Sequence, residues 1–377
     1  MSLFTLQEYE KVAQNLTHDT KALIDGAPVD FQSGNRFDSI SPGAGKALTS
    51  VTSCDTEDLD KAVAIAKAAF DSGIWSEMTP TDRKSILFRF AASILNILPG
   101  SGYVIGNALA NHPDVDLITF TGSTEVGKNL LNCSGSSNIK HVLLELGGKN
   151  PCVITDEIED LNFAAQENVS GALWNMGENC TQNSRLIIQK SVKDKLLPKI
   201  LKEVENWKVG NPLDPANRHG AIIEKPHMQK ILDYIEIGKN EGADLIYGGK
   251  QILEETGGNF IQPSVFDNCN QSMRIVREEI FGPVFAIETF DTLEEGIAMA
   301  NDTEYGLQAS IWSDNLNTVQ KLFSKIQAGV ISVNHFSEGD ITAPFGGFKQ
   351  SGFMGRDKSI WANKQYTELK SVYIKTR

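Results

Sequence analysis

The sequence predicts an α/β protein with a parallel, doubly wound sheet. Short apolar runs alternate with helical stretches from residue 95 onward, as in chains that place helices on both faces of a sheet. A second region of the same alternation runs from Pro151 to about Gly347. The composition, 41% hydrophobic and 22% charged, is that of a globular chain, and 377 residues are enough for two or three domains.

Two helices are predicted before the alternation begins. The first covers residues 55–73, with Thr56 as its N-cap and Gly73 at its end. The second covers residues 79–94 and has Pro80 in its first turn, where proline is tolerated. Both helices carry apolar side chains at helical spacing, so each is expected to bury one face.

Further elements follow from the same periodicity. The predicted strands cover residues 95–98, 117–120 and 141–146, and the predicted helices cover residues 161–174, 192–207 and 226–242. Residues 366–375 (YTELKSVYIK) are rich in β-forming side chains. They predict a strand at the end of the chain that pairs with a neighbour.

Charge and hydropathy exclude two classes of partner. The net charge of −13 and the lack of clustered Lys and Arg argue against nucleic-acid binding. No apolar run approaches the ~20 residues that a membrane-spanning helix needs, and residues 1–10 lack a signal-peptide pattern. The sequence therefore predicts a cytoplasmic protein that acts on a small molecule.

The five cysteines form no C-x-x-C pair and no Cys/His cluster with zinc spacing. No metal site and no disulfide framework are predicted. In such a chain most cysteines are small buried hydrophobes, and a single one can be a reactive thiol. The candidate is Cys180, in the polar turn GENCTQNSR between a helix that ends near Trp174 and an apolar strand. An unreactive buried cysteine is the alternative.

A second candidate, Glu145, lies at the end of an apolar strand and precedes Gly147 and Gly148. Desolvation there raises a carboxyl pKa, which suits a general base. A surface glutamate before a turn is the alternative. The turn at Gly122 and Ser123 also follows a buried strand and precedes a helix, where free backbone N–H groups bind anions.

Five motifs together resemble the aldehyde dehydrogenase superfamily, and they occur in the family's order. They are FTGSTEVG at residues 120–127, LELGGK at 144–149, GENCTQNSR at 177–185, EEIFGPV at 278–284 and PFGGFKQSG at 344–352. The resemblance implies that Cys180 is the nucleophile that attacks an aldehyde carbon and that Glu145 activates the water that hydrolyses the resulting thioester. It also implies that the backbone N–H of Cys180 is one oxyanion donor.

The same resemblance implies a dinucleotide cofactor, NAD or NADP. Gly122, Ser123 and Gly127 belong to the phosphate-contacting motif. Glu279 matches the residue that holds the nicotinamide ribose, and Phe281 matches the residue beside the ring. Without the resemblance, Glu279 reads as an exposed carboxylate on a turn and Phe281 as an ordinary core aromatic.

Within the superfamily the chain is most similar to aminoaldehyde-oxidising members, especially γ-glutamyl-γ-aminobutyraldehyde dehydrogenases of putrescine breakdown. The stretches GDITAPFGGFKQSG, GRDKS and YTELK carry this similarity. Trp174 and Phe345 match walls of the family's substrate tunnel, with a core role as the alternative. Asp340 is a candidate partner for a substrate amine, with a helix-cap or turn role as the alternative.

The resemblance also divides the chain into segments. Residues 1–94 are expected to form the N-terminal part of the cofactor domain, and residues 95–147 its remaining part. Residues 148–348 are expected to form an α/β catalytic domain, and residues 349–377 the C-terminal return and oligomerisation strand. A homodimer or homotetramer is implied.

The sequence departs from the family between Ser93 and Leu95, where more than a hundred residues of the family pattern are absent, so the Rossmann-type cofactor domain is truncated. The family's P-W-N-F-P motif, which supplies a side-chain oxyanion donor, and its K-P-S-E motif, which holds the adenosine ribose, occur nowhere in the chain. Three hypotheses follow. They are NAD(P)-dependent oxidation of an aldehyde with impaired activity, cofactor-independent thiol ester hydrolysis, and an inactive remnant of the family.

Overall fold

The computed structural model describes residues 4–30, 34–73, 77–79, 81–82 and 95–376. The chain folds into two compact units. The large unit comprises Met1–Leu6, Phe120–Thr124 and Leu143–Arg377, and the small unit comprises Gln7–Thr119 and Glu125–Val142. The chain therefore crosses between the units several times.

The strands are short, as is usual in α/β proteins. They are β1 Ala22–Ile24, β2 Ala27–Val29, β3 Arg36–Ile40, β4 Ala47–Thr52, β5 Leu117–Thr121, β6 His141–Glu145, β7 Pro151–Ile154, β8 Arg185–Gln189, β9 Asp244–Tyr247, β10 Ser264–Asp267, β11 Val284–Phe290, β12 Tyr305–Gly306, β13 Gln308–Trp312, β14 Val330–Val333, β15 Phe348–Lys349 and β16 Gly352–Phe353.

The helices alternate with these strands. They are α1 Leu6–Gln14, α2 Thr56–Asp71, α3 Asn107–Asn111, α4 Thr124–Ser136, α5 Leu161–Leu173, α6 Lys190–Asn206, α7 Lys225–Asn240, α8 Arg274–Arg277, α9 Leu293–Asn301, α10 Leu316–Lys325 and α11 Ser359–Gln365. A π-helical turn covers Gly102–Gly106, and 3₁₀ turns cover Trp174–Gly177 and Glu254–Thr256.

A seven-stranded sheet forms the centre of the large unit, with the order β14-β13-β7-β8-β11-β10-β9. Every neighbouring pair is parallel except the edge pair β10–β9. In the middle of the sheet Leu186 of β8 pairs with Cys152 on one side and Ile287 on the other. The predicted parallel α/β architecture is confirmed for this unit.

Helices cover both faces of this sheet, which explains why its central strands are largely apolar. On one face α5 and α6 pack on Cys152 and Ile154 through side chains such as Val169 and Ile200. On the other face α9 and α10 pack on Val153, Ile187 and Ile311. Within β8 the first four residues are all buried.

Three of these strands place the candidate motifs at one edge of the sheet. The strands β7, β8 and β11 are adjacent and parallel, so their amino-terminal ends meet at the same edge. The residues just before them are 145–150, 177–184 and 278–283, which contain three of the five motifs. The topology therefore brings together segments that are far apart in the chain.

In the small unit, β1 with β2 and β3 with β4 form antiparallel hairpins. The N-cap of α2 is Asp55, and the prediction of Thr56 was wrong by one residue. Asp55 accepts a hydrogen bond from the Asp58 N–H, and Asp58 accepts one from the Asp55 N–H, which completes a capping box. Gly73 follows the C-cap with φ +76°, a conformation that favours glycine.

The remaining sequence predictions have mixed outcomes. The strands and helices predicted from residue 117 to residue 242 are present with small shifts at their ends. Residues 95–98 do not form a strand of a sheet, because only Ile97 makes an isolated bridge, to Leu23. The predicted helix 79–94 and the junction at Ser93 fall almost wholly outside the described residues.

The predicted strand at residues 366–375 is not formed within the chain, where these residues have no assigned secondary structure. Several of its apolar side chains are solvent-exposed, among them Leu369, Val372 and Tyr373. Pairing of this segment with a neighbouring chain stays a prediction. No helix in the part of the chain that the structure describes has the length and apolar character that crossing a membrane requires.

Replacement of one buried side chain in the central strand β8 by alanine tests this assignment of the core. Ile187→Ala removes a fully buried side chain from β8 and is expected to lower the free energy of unfolding by about 2–4 kcal/mol. Leu316→Ala, at a side chain that is 77% exposed, is expected to change it by less than about 0.5 kcal/mol. Urea titrations of both variants measure the difference, and equal losses would contradict the assigned core.

Candidate active site

The thiol of Cys180 lies in a tight loop between α5 and β8. The chain leaves α5 through two left-handed residues, Asn175 and Met176, with φ of 50° and 58°. Gly177 follows with φ +70°, and a Cβ there would lie 2.3 Å from the carbonyl oxygen of Gly282. Only glycine fits this position without displacing the segment before β11.

A buried amide, Asn150, fixes this loop to the start of β7. Its Nδ2 donates to the carbonyl oxygens of Cys180 at 2.8 Å and Gln182 at 2.9 Å. Its Oδ1 accepts from the backbone N–H of Gln308 at 3.0 Å. Since Asn150 is 2% exposed, loss of its side chain would leave buried carbonyl groups without partners.

The pair Gly147 and Gly148 allows the three segments to approach one another. A Cβ on Gly148 would lie 2.3 Å from the carbonyl oxygen of Cys180, and one on Gly147 would lie 2.3 Å from Glu279 Oε2. The backbone N–H of Gly148 donates to Glu279 Oε1 at 2.9 Å. The absence of side chains here therefore sets the spacing between the thiol loop and the Glu279 segment.

Cys180 is half-buried, whereas the other four cysteines are buried. Burial raises the pKa of the Cys180 thiol to about 11, and the negative charges of Glu338, Glu279 and Glu145 act in the same direction. Its own backbone N–H opposes this shift. The group is therefore a thiol near neutral pH, and it needs a base or a cation before it can act as a nucleophile.

The carboxyl group of Glu145 is the base that the geometry offers. Glu145 is 7% exposed, and neither carboxyl oxygen has a hydrogen-bond partner among the residues that the structure describes. Burial raises its pKa to about 8, with Asp357 raising it further and Arg356 lowering it. Its backbone carbonyl accepts from the N–H of Gly122 at 3.1 Å. A carboxyl group without internal partners is free to exchange a proton with a bound molecule.

The segment before β11 contributes Glu279 and Phe281. Burial raises the pKa of Glu279, while the hydrogen bond from Gly148 and the charge of Lys149 lower it. Phe281 has φ 59°, and its carbonyl oxygen accepts from His227 Nε2 at 2.6 Å. Glu279 is thus a fixed, half-buried acceptor and not the exposed turn carboxylate of the alternative.

The phosphate-motif residues divide between the two units. Gly122 and Ser123 lie in the large unit and Gly127 lies in the small unit. A Cβ on Gly122 would lie 2.4 Å from the ring of Phe120, which accounts for glycine at this position. Gly127 is buried in α4. Phosphate binding by these residues stays a prediction.

The predicted substrate residues have different surroundings. Trp174 is 52% exposed at the end of α5, so it is not a core aromatic. Phe345 is half-buried, and Lys358 Nζ lies 5.0 Å from its ring centroid. Asp340 is exposed, and its Oδ1 accepts from Thr342 N at 2.7 Å and Oγ1 at 2.6 Å. Asp340 therefore has the turn role that the sequence left open.

Sequence reasoning did not single out Asn150 or Glu338. Asn150 follows LELGGK directly and precedes a buried strand, and a polar residue there indicates a buried hydrogen-bond role. Glu338 is one of two acidic residues in a short loop, and the spacing alone does not distinguish it from Asp340. The structure places Glu338 Oε1 2.5 Å from Thr181 Oγ1, next to Cys180.

Comparison with known proteins agrees with this arrangement of fold and site. The Aldehyde dehydrogenase family model matches residues 29–94 and 90–372. The aminoacetaldehyde dehydrogenase of Pseudomonas aeruginosa is 33% identical over 494 aligned residues, which cover 99% of each chain. A solved indole-3-acetaldehyde dehydrogenase in complex with NAD+ is 36% identical with a TM-score of 0.96, and the match covers 99% of this chain and 100% of that one.

A further solved structure, γ-glutamyl-γ-aminobutyraldehyde dehydrogenase from Burkholderia cenocepacia, is 32% identical with a TM-score of 0.94. That match covers 97% of this chain and 99% of the other. The chain belongs to the aldehyde dehydrogenase family. The resemblance stated from the five motifs is confirmed, and so is the aldehyde dehydrogenase-like α/β fold.

The family match is interrupted where the sequence predicted a gap. Its two segments meet at residues 90–94, and an alignment of 494 positions against 377 residues leaves more than a hundred positions without a residue of this chain. Several other relatives match over 281 to 287 residues, and these matches cover between 55% and 57% of their length. This chain is shorter than the full-length relatives.

The glycine spacing predicts that Gly148→Ala displaces the thiol loop. The new methyl group would overlap the Cys180 carbonyl oxygen, so the reaction rate of Cys180 with iodoacetamide is expected to change severalfold and stability to fall. In the matched control Gly135→Ala, the added Cβ meets nothing within 4 Å, and alanine favours the helix α4. Peptide mass spectrometry follows the labelling of Cys180. An unchanged labelling rate in Gly148→Ala would contradict the assigned contact.

Burial of Glu145 predicts a pH-dependent stability difference. Because its folded pKa of about 8 lies above the ordinary value of 4.5, the native state holds a proton that the unfolded state releases within that window. Wild-type stability is therefore expected to fall relative to Glu145→Gln as pH rises from about 4.5 to about 8, and to level off above it. Denaturant titrations at several pH values measure this, and a constant difference would contradict the raised pKa.

Proposed function

We propose that this protein oxidises an aldehyde to a carboxylic acid through a covalent thioester on Cys180. The observation that carries the proposal is the placement of Cys180 and Glu145, whose charge acts on the thiol, at one edge of the sheet. The family membership gives the reaction class, and the geometry gives each group a role.

The first chemical step is formation of the nucleophile. Glu145 takes the thiol proton, and the sulfur attacks the carbonyl carbon of the aldehyde, so that negative charge develops on the carbonyl oxygen. The backbone N–H of Cys180 is the donor for that oxygen. The family's side-chain donor lies in a motif that this sequence lacks, which is expected to cost about 3 kcal/mol of transition-state stabilisation.

Hydride then leaves the former aldehyde carbon, and a thioester to Cys180 remains. When bound, NAD or NADP accepts this hydride. The described residues fit the nicotinamide end of such a cofactor, since Glu279 is a half-buried carboxylate held by Gly148 and suited to accept from ribose hydroxyls. We assign Glu279 to the ribose, Phe281 to the ring, and Gly122, Ser123 and Gly127 to the phosphates.

Hydrolysis of the thioester completes the cycle. Glu145 first releases the thiol proton to solvent and then removes a proton from a water molecule, which attacks the thioester carbon. The product acid leaves, and Glu145 returns this second proton to the Cys180 sulfur. Since the pKa of Glu145 is about 8, this step is expected to accelerate as pH rises towards that value.

We further propose that the aldehyde carries an amine. Two of the similar proteins are named for aminoaldehydes, namely aminoacetaldehyde and γ-glutamyl-γ-aminobutyraldehyde. A place in putrescine degradation follows from the second of these. The chain is acidic overall, with a net charge of −13, which favours the approach of a cationic substrate.

The interrupted family match favours a second candidate, a cofactor-independent thiol esterase. Residues 90–94 mark the place where more than a hundred aligned positions are missing, whereas Cys180 and Glu145 both lie outside the gap. Acylation of Cys180 by an activated ester, and hydrolysis assisted by Glu145, need no dinucleotide.

Absorbance of the reduced dinucleotide tests the first proposal. The purified chain with NAD or NADP and an ω-aminoaldehyde is expected to form reduced cofactor, and Cys180→Ala is expected to lower the rate at least about a thousandfold, as for other nucleophiles. Glu145→Gln serves as the second variant and is expected to slow formation of the thioester and to slow its hydrolysis, because both steps use Glu145 as the base.

Cleavage of an activated ester provides a second assay, which needs no dinucleotide. Ester cleavage that depends on Cys180, without any reduction of cofactor, would reject oxidation and support the esterase. If a folded chain shows no activity in either assay, both activities are rejected and the inactive remnant is the hypothesis that is left.

A further inference from the structure

We propose that Glu338 is the carboxylate that binds the ammonium group of a cationic aldehyde beside Cys180. This role rests on the proposed function and names the residue that would select its substrate class. Glu338 replaces Asp340 in this role, because the Asp340 carboxylate is already engaged by Thr342 in an exposed turn.

The position of Glu338 is fixed next to the thiol. Thr181, the residue after Cys180, is fully buried, and its Oγ1 donates to Glu338 Oε1 at 2.5 Å. The same hydroxyl oxygen lies 3.0 Å from Asn179 Oδ1, and Asn179 also accepts from the Thr181 N–H at 3.1 Å. These contacts anchor the carboxylate one residue away from the nucleophile.

The protein does not neutralise this carboxylate within the described residues, where Glu338 takes part in no ion pair. The nearby ammonium of Lys358 donates to the backbone carbonyl of Glu338 at 3.2 Å and lies over the ring of Phe345. A half-buried carboxylate without a cation of its own is suited to take one from a ligand.

The other carboxylates near Cys180 already have partners or roles. Glu279 is held by Gly148 at 2.9 Å, and Glu145 is buried, as a base requires. Glu338 is the remaining one of the three carboxylates that act on the Cys180 thiol. The proposed reaction assigns no role to the charge of Glu338 unless a cation binds beside it.

Electrostatics gives this arrangement a second consequence. Of the three carboxylates, Glu338 raises the pKa of Cys180 most. An ammonium group beside Glu338 offsets that charge and favours the thiolate, whereas a neutral aldehyde leaves the repulsion in place. A cationic substrate is therefore both bound and helped to react.

Covalent labelling tests the assignment without any dinucleotide. The reagents are 2-aminoethyl methanethiosulfonate, which is cationic, and methyl methanethiosulfonate, which is neutral. In both cases the Cys180 thiolate attacks the sulfenyl sulfur, a mixed disulfide forms, and methanesulfinate leaves. Peptide mass spectrometry follows Cys180 alone, and the ratio of the two rates measures the preference for a cation.

In Glu338→Gln the ratio of cationic to neutral rates is expected to fall about tenfold, the size of one charge-assisted hydrogen bond. The neutral reagent is expected to react at least as fast as in wild type, and the circular dichroism spectrum shows separately whether the variant is folded. Glu338→Asp is expected to keep most of the preference. The matched control Asp340→Asn is expected to leave the ratio within about twofold, because an exposed turn residue contributes little.

An unchanged ratio in Glu338→Gln, or an equal loss in Asp340→Asn, would overturn the assignment. A second experiment distinguishes the role of Glu338 from the proposed function. It compares the rates at which an ω-aminoaldehyde and a neutral aldehyde of equal length are oxidised. Turnover that favours the aminoaldehyde equally in wild type and Glu338→Gln would overturn the role of Glu338 alone. A Glu338-dependent labelling ratio without turnover would support the cation site and reject the oxidation.

Discussion

The close approach of three chain segments at one edge of the parallel sheet is the constraint on which the site depends. Adjacent strands lie about 4.8 Å apart, so the segments before β7, β8 and β11 must share a narrow space. Gly147 and Gly148 make this possible, because a side chain at either position would overlap Glu279 or the Cys180 carbonyl group. The geometry of the thiol loop is therefore set by the backbone of another segment.

Buried polar groups stabilise this arrangement. Arg185, at the first residue of β8, is fully buried and donates to the carbonyl oxygens of Lys149, Met299 and Ala300. Together with Asn150, it ties the segments before β7 and β8 to each other and to α9. Burial of such groups is costly unless their partners are satisfied, so each contact restricts the alternatives open to the loop.

The same packing explains the acid–base properties of the site. Burial raises the pKa of Cys180, Glu145 and Glu279, and the charges of the two glutamates raise the pKa of Cys180 further. Burial lowers the pKa of Lys149 to about 7, so this buried cation is weakened as well. A site of this kind holds protons until a ligand brings a compensating charge or takes a proton away.

Much of the large unit could be predicted from the sequence, because its elements have strong local signals. The buried strands around Leu186 and Leu144 read as apolar runs, and the motif order led to the family. Local sequence patterns did not predict the structure correctly where tertiary contacts determine it. Ile97 forms only a bridge although Leu95 and Leu98 lie close to it in the sequence. Glu338 and Asp340 differ only in what the fold places beside them.

Acylation of the thiol is the most direct test of the central claim, that Cys180 and Glu145 act as nucleophile and base at this edge of the sheet. Intact-protein and peptide mass spectrometry would follow the chain after mixing with an activated ester. We predict an acyl group on Cys180 that is lost faster as pH rises towards about 8, and that forms more slowly and persists longer in Glu145→Gln. An acyl group on another cysteine, or equal loss in both proteins, would contradict these roles.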